Sequence, residues 1–154
     1  MSQSGGGRAA RSGAGLERMV EGLLMSHGYG KIPAKDLKGH VRAGEPVFVR
    51  QAIIGKSIYN TKLKVDFYVF HPTIHPEGLI IECKWQQAAG TVDEKYPYLV
   101  ANLLITGMKS IVLLDGGGYR PGAKTWLKAQ SQKANTLSIF SIKEFVTWAN
   151  NGGL

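Results

Sequence analysis

Apolar side chains fall at Leu16, Val20, Leu23 and Leu24, a spacing of i, i+4, i+7 and i+8 that puts them on one face of an amphipathic helix over residues 16–27. Gly28 is placed to close it. Residues 28–44 carry Gly, Lys and Pro without any period, so a loop is expected there. Segments 46–54, 62–70 and 78–85 are each rich in β-branched or aromatic residues and bounded by Gly, Asn or Pro, which predicts three strands. Thr91 with Glu94 resembles a capping box; the helix it opens is predicted to run to about residue 105 and stop at Gly107, with Pro97 positioned to kink it. The apolar run 110–114, closed by Asp115-Gly-Gly-Gly, reads as a buried strand. A helix over 122–133, a short strand over 137–140 and a last helix over 142–150 complete the pattern.

The order helix, three strands, helix, strand, helix, strand, helix predicts an α/β fold. One domain over residues 15–154, with a mixed sheet flanked by helices, is expected. Residues 1–14 are rich in Gly, Ser and Arg and read as a disordered basic arm.

Composition adds a partner. Nineteen Lys plus Arg against eleven Asp plus Glu give a formal charge of +8 in 154 residues, which favours a polyanion such as nucleic acid. Lysine carried only for solubility is the other reading of the same excess. Cys83 is the only cysteine, so an intrachain disulfide is impossible and a cysteine-based zinc site would lack ligands. The N-terminal stretch lacks the apolar core of a signal peptide, and no run reaches the roughly eighteen apolar residues of a membrane span, so a cytoplasmic protein is expected.

Strand parity then gathers polar groups. Asp66 is expected to share a face with Lys64 and Tyr68, with Val65, Phe67 and Val69 on the other; Glu82, Lys84 and Gln86 share a face opposite that of Cys83 and Trp85. If residues 71–77 form a hairpin connection centred on Ile74, Asp66 lies opposite Glu82. Two facing carboxylates repel, and the apolar runs around them imply burial, so a positive group is needed between them. Lys84 and a divalent cation are compatible answers. A solvated Glu82–Lys84 pair on an edge strand is the simpler alternative, but Leu79-Ile80-Ile81 argues against a solvated edge.

Asp66 followed by Glu82-Cys83-Lys84 at the end of an apolar strand resembles the PD-(D/E)xK nuclease superfamily, which includes many restriction endonucleases and Holliday-junction resolvases. The element order from residue 16 to 115 is similar to that superfamily's helix, three-strand, helix, strand core, so a restriction-endonuclease-like fold is implied. A lone D…ExK arises often by chance, and Val65 stands where the motif's name has Pro. The segment from Arg11 through Val20 is also similar to the opening helix of archaeal resolvases, which implies that Glu17 reaches a metal. Glu21 lies one turn further on; two solvated surface glutamates are the alternative.

The resemblance implies that Asp66, Glu82 and the Cys83 backbone carbonyl bind Mg²⁺, with Mn²⁺ as substitute, and that Lys84 orients or deprotonates the attacking water. Gln86, on the same face, could hydrogen-bond a water or phosphate, with a structural glutamine as the other reading, and the following helix, with Lys95 and Tyr96 in its first turns, could contribute a phosphate contact. A lysine base needs a pKa well below about 10.4, which two neighbouring carboxylates oppose, so positioning and charge stabilisation are expected of Lys84 first. The implied activity is a Mg²⁺-dependent endodeoxyribonuclease, a sequence-specific double-strand cutter of restriction or homing type. A structure-selective resolvase and a non-catalytic nucleic-acid-binding module stay open beside it. A homodimer is expected, because cutting a duplex takes two centres.

Arg50, Lys56, Lys62 and Lys64 flank a hairpin with Tyr59 and Asn60 at its tip, which could read DNA or could be a solvated lysine-rich turn. Arg8 and Arg11 would add salt-sensitive, nonspecific affinity. His71 and His75 lie four apart, but each precedes Pro in an expected loop, so no metal role is assigned to them. Asp115-Gly-Gly-Gly lacks the Lys-Ser/Thr of a P-loop and reads as a turn.

Overall fold

A computed structural model describes residues 12–88, 90 and 92–154. Arg8, Arg11 and Thr91, with the capping box expected of the last, lie outside the described residues. Helix α1, Gly13–Ser26, begins where the Ser12 hydroxyl accepts a hydrogen bond from the Gly15 N–H at 2.9 Å. That is three residues before the apolar period starts, because Gly13, Ala14 and Gly15 carry no period to read. Leu16, Val20 and Leu24 form its buried stripe.

The expected loop over 28–44 is largely structured. It holds a short strand β1, Gly30–Lys31, a 3₁₀ turn Ala34–Asp36, and helix α2, Leu37–Ala43, closed by Gly44 in the left-handed region at φ 70°. No residue of α2 is fully buried, and its only apolar contacts, from the half-buried Leu37 and Val41, are too few in seven residues to show a period.

Strands β2 (Val47–Lys56), β3 (Lys62–His71) and β4 (His75–Trp85) follow, then α3 (Tyr96–Thr106) behind a 3₁₀ turn Val92–Lys95. Pro97 sits at the start of α3, where its missing N–H has no helical partner to lose, so no kink results. Strand β5 (Lys109–Asp115), α4 (Pro121–Lys133), β6 (Leu137–Phe140) and α5 (Ile142–Trp148) complete the order, with a wide turn Ala149–Gly153 leading to Leu154. Ser141 and Glu144 form a reciprocal capping box on α5.

The six strands lie in chain order, β1 to β6. The pairs β1–β2, β4–β5 and β5–β6 are parallel, and β2–β3–β4 is an antiparallel meander. The sheet is therefore mixed, with an apolar layer on each side. One layer joins Leu16, Val20 and Leu24 of α1 and Phe145 of α5 to Phe48, Phe67, Val69, Ile81 and Leu113. The other joins Val100 and Leu103 of α3 and Leu127 of α4 to Val49, Val65, Ile80, Val112 and Leu114.

Those memberships correct the expected parity of β3. Val65 packs in the α3 layer, whereas Phe67 and Val69 pack in the α1 layer, so the alternation reverses at Asp66. The cause lies across the ladder. Arg50 pairs with Phe67 and Ala52 with Val65; between them stands Gln51 in the left-handed region at φ 51°. A left-handed residue turns the next peptide over and shifts a strand's alternation by one, and the facing strand follows because opposed residues project to the same side.

Candidate active site

Strands β3 and β4 pair Val69 with Leu79, Tyr68 with Ile80 and Phe67 with Ile81, a register that sets Asp66 opposite Glu82. The hairpin turn itself is shorter than the expected loop, since β4 already starts at His75. Beyond Phe67 the side chain takes over from the ladder: Asp66 Oδ2 accepts the Cys83 N–H at 2.8 Å. Within a strand a residue's N–H and C=O face the same neighbouring strand, so the Cys83 carbonyl also faces β3 beside Asp66. Gln51 closes the other side. Its amide donates to Asp66 Oδ1 at 3.5 Å and to Glu17 Oε1 at 3.2 Å.

Glu82 is buried, at 5% exposure. Burial, then the charge of Asp66 and a hydrogen bond to it, push its pKa up to about 8; Lys84, with Nζ 3.6 Å from Glu82 Oε2, lowers it without compensating. The carboxyl pair thus retains a proton at neutral pH unless a cation replaces it. The Cys83 thiol is pushed well above its ordinary range by burial and then by Asp66 and Glu17, which leaves it inert as a nucleophile.

Asp66, Glu82 and Lys84 open into a cavity of about 420 Å³, whose rim carries Lys64, Lys95 and Tyr98 and whose floor is apolar, with Leu63, Leu99 and Leu103. Among the described residues no cluster of three or more His, Cys, Asp or Glu side chains is arranged to hold a metal. Two adjacent carboxylates and a backbone carbonyl nevertheless fit a hard cation that keeps several waters. The family profile of the PD-(D/E)XK nuclease superfamily domain matches residues 8–153. The chain belongs to the PD-(D/E)XK nuclease superfamily. No curated protein and no solved structure matches it significantly.

This nuclease domain implies a nucleic-acid substrate, and the superfamily typically uses divalent metals. No described helix is long and apolar enough to cross a membrane. Of the residues expected at its centre, Asp66, Glu82 and Lys84 come together, with Lys64 and Lys95 on the same cavity.

Gln86 is a correction. It lies past the end of β4 and is buried: Tyr96 Oη donates to its Oε1 at 3.0 Å, and its amide donates to the carbonyls of Gly118 at 3.3 Å and Ala88 at 3.4 Å. Its polar atoms are committed to the loop, not to a water or phosphate. The turn after Asp115 is pressed against the same segment, with the Gly118 N–H donating to the Gln86 carbonyl at 2.6 Å.

Arg50 is a second correction. Its guanidinium lies 4.6 Å above the Phe67 ring and donates to Glu17 at 2.8 Å and Glu21 at 3.0 Å, so it faces α1 instead of DNA. Neither glutamate is a solvated surface residue. Glu21 also pairs with Lys31 at 2.6 Å, and Lys31 and then Arg50 lower its pKa. Glu17 does not line the cavity but meets Asp66 through the Gln51 amide.

At the hairpin tip Lys56, Tyr59, Asn60 and Lys62 are exposed. The tip is tied to α3, because the buried Asn102 Oδ1 accepts the Ile58 N–H at 2.9 Å. Ser57, then Asn102 and Thr61, as polar neighbours of the Tyr98 hydroxyl, hold its pKa below the usual 10. Gln51, Tyr98 and Asn102 escaped the sequence reading, although Asn102 has a signal, a lone polar side chain in the apolar run Val100 to Ile105. The histidines serve the scaffold. His71 Nδ1 accepts the Thr73 and Ile74 N–H groups, and the buried His75 donates from Nε2 to the Gly153 carbonyl at 2.6 Å.

Proposed function

We propose that this nuclease is a metal-dependent endodeoxyribonuclease whose centre is Asp66, Glu82, Lys84 and the Cys83 carbonyl. The observation that carries the reading is the pair of carboxyls on neighbouring strands just beyond the Phe67–Ile81 pair, one of them buried, with Lys84 3.6 Å away and a lysine-rimmed cavity in front. Two neighbouring carboxyls that repel each other in a partly buried site are stabilised when a divalent cation binds between them.

Phosphodiester hydrolysis requires a positioned water and neutralisation of charge that develops on the phosphoryl oxygens. A divalent cation such as Mg²⁺, held by Asp66, Glu82 and the Cys83 carbonyl, would polarise the scissile phosphate and acidify a bound water. Asp66 is fixed for this by the Cys83 N–H and Gln51. Lys84, with Nζ 3.6 Å from Glu82, orients the water and stabilises the negative charge that develops. Lys64 and Lys95 hold flanking phosphates, and Glu17, one side chain removed, keeps Gln51 in place. A second copy would supply the second cut of a duplex.

The hairpin keeps Lys56, Tyr59, Asn60 and Lys62 at its exposed tip but gives up Arg50 to α1, which favours selection by DNA structure over base sequence. The test is purified full-length protein with Mg²⁺ on supercoiled plasmid, linear duplex, single strand and a four-way junction, with the ends mapped. Cleavage is expected to need the cation and to fall by at least about a hundredfold in Asp66→Ala, Glu82→Ala and Lys84→Ala. Full activity in both carboxylate variants would remove the site assignment. A wild type indistinguishable from Lys84→Ala at background would leave a binding module with a nuclease fold.

A further inference from the structure

Two stacked tyrosine rings stand beside the cavity, one of them lining it. Tyr98, in the first turn of α3, lines its wall. Tyr59, at the β2–β3 tip, stacks on Tyr98 with centroids 5.3 Å apart and planes at 25°. Tyr59 is 73% exposed, more than any other large hydrophobic side chain among the described residues, and Tyr98 is 40% exposed. Tyr98 covers one face of the Tyr59 ring and leaves the other to solvent.

The turn that carries the Tyr59 ring is fixed on both sides. On one side the Ile58 N–H is held by Asn102; on the other Asn60 takes the left-handed region at φ 61° and donates its N–H to the Ser57 carbonyl at 2.9 Å. The turn is closed by Ser57 N–H to the Thr61 carbonyl at 2.7 Å, and by a 2.7 Å bond between the two hydroxyls. A surface aromatic on so rigid a turn is preorganised, which lowers the entropy lost when something flat lies on it. Lys64 and Lys95 line the cavity on which Tyr98 borders, and Lys56 and Lys62 stand on the hairpin stem.

A flat π-face beside ammonium groups and a phosphate-cleaving centre matches a nucleobase with its phosphate. Inside a duplex each base is stacked on its neighbours and shows only its edges to a groove, so a base that lies on Tyr59 is unpaired. We infer that Tyr59, backed by Tyr98, is a stacking platform for an unpaired base of the DNA strand entering the Asp66–Glu82 cavity, and that the enzyme selects DNA with single-stranded character next to the cut. This rests on the nuclease reading of that cavity and assigns its substrate class.

The experiment measures binding of the full-length protein in EDTA, so that cleavage does not enter. Three DNA probes of one sequence are compared: a single strand, a blunt duplex, and a forked duplex with 2-aminopurine at the unpaired nucleotide beside the junction. Wild type is expected to bind the fork and single strand more tightly than the blunt duplex and to quench the aminopurine by stacking. Tyr59→Leu should lose roughly tenfold in affinity for fork and single strand and lose the quench, while changing blunt-duplex affinity less than about twofold. Tyr59→Phe should retain both. The platform is overturned if wild type shows no preference for the fork, if Tyr59→Leu weakens all three probes equally or none, or if it changes the oligomeric state, which would mark the rings as a contact between copies. The platform fails on binding and the nuclease reading fails on cleavage, so each falls on its own measurement.

Discussion

Glu82 shows how one residue links the site to the stability of the fold. Its pKa is raised, to about 8, so the folded state favours the protonated form. That contribution is fully present below the ordinary value of 4.5 and is lost as pH rises through about 8. Without a divalent cation the protein should therefore weaken between these limits, and Glu82→Gln, which keeps a neutral group of the same shape, should not. The melting temperature of Glu82→Gln minus that of wild type, in chelator, is expected to be near zero at acid pH and to grow to roughly 5 °C above pH 8. A difference that stays flat with pH would mean that Glu82 titrates normally. The facing of Asp66 and Glu82 was legible in the sequence because both lie eight residues from Ile74 and the register respects that symmetry. Arg50 was not, because a cation on a basic hairpin looks the same whether it meets DNA or the glutamates of a helix folded against it.

At the level of elements, the glycine-rich turn after β5 illustrates a function that spacing does not reveal. It lies against the segment that follows β4: a Cβ on Gly116 would come within 2.5 Å of the Gln86 carbonyl oxygen, and one on Gly118 would overlap the backbone of Gln87 and Ala88. Both contacts are with backbone, which cannot swing aside. Gly118→Ala is therefore expected to cost about 1–3 kcal/mol in chemical denaturation and to lower activity by disturbing the Gln86–Tyr96 bond behind the cavity. Gly122→Ala, in open space on α4, should be neutral or mildly stabilising. Equal effects of the two would show that the close approach does not constrain the loop. Legibility followed burial here too. The longer α1 showed a buried stripe that was readable, whereas the seven-residue α2, only half-buried at Leu37 and Val41, did not, and the reversed parity of β3 depends on a left-handed Gln51 that nothing in the sequence announces.

Across the whole molecule the charge of +8 is only partly available to DNA, since Arg50 and Lys31 are neutralised by Glu17 and Glu21. Lys64 and Lys95, on the cavity, remain exposed. On log–log axes, duplex binding should fall with salt, and replacing both lysines by Ala should reduce the slope by about 1.8, since each phosphate contact releases close to one counterion. An unchanged slope would place the phosphates elsewhere. The sheet, covered on both faces, also explains why the site sits where it does: Gln51 reverses the parity of β2 and β3 at the level where the β3–β4 pairing ends, and Asp66 fills the gap. A side chain there performs the task of a main-chain carbonyl. Its charge is therefore written directly onto a peptide group of the neighbouring strand, and the proton resonance of the Cys83 amide becomes a gauge of whether the centre is empty, protonated or loaded.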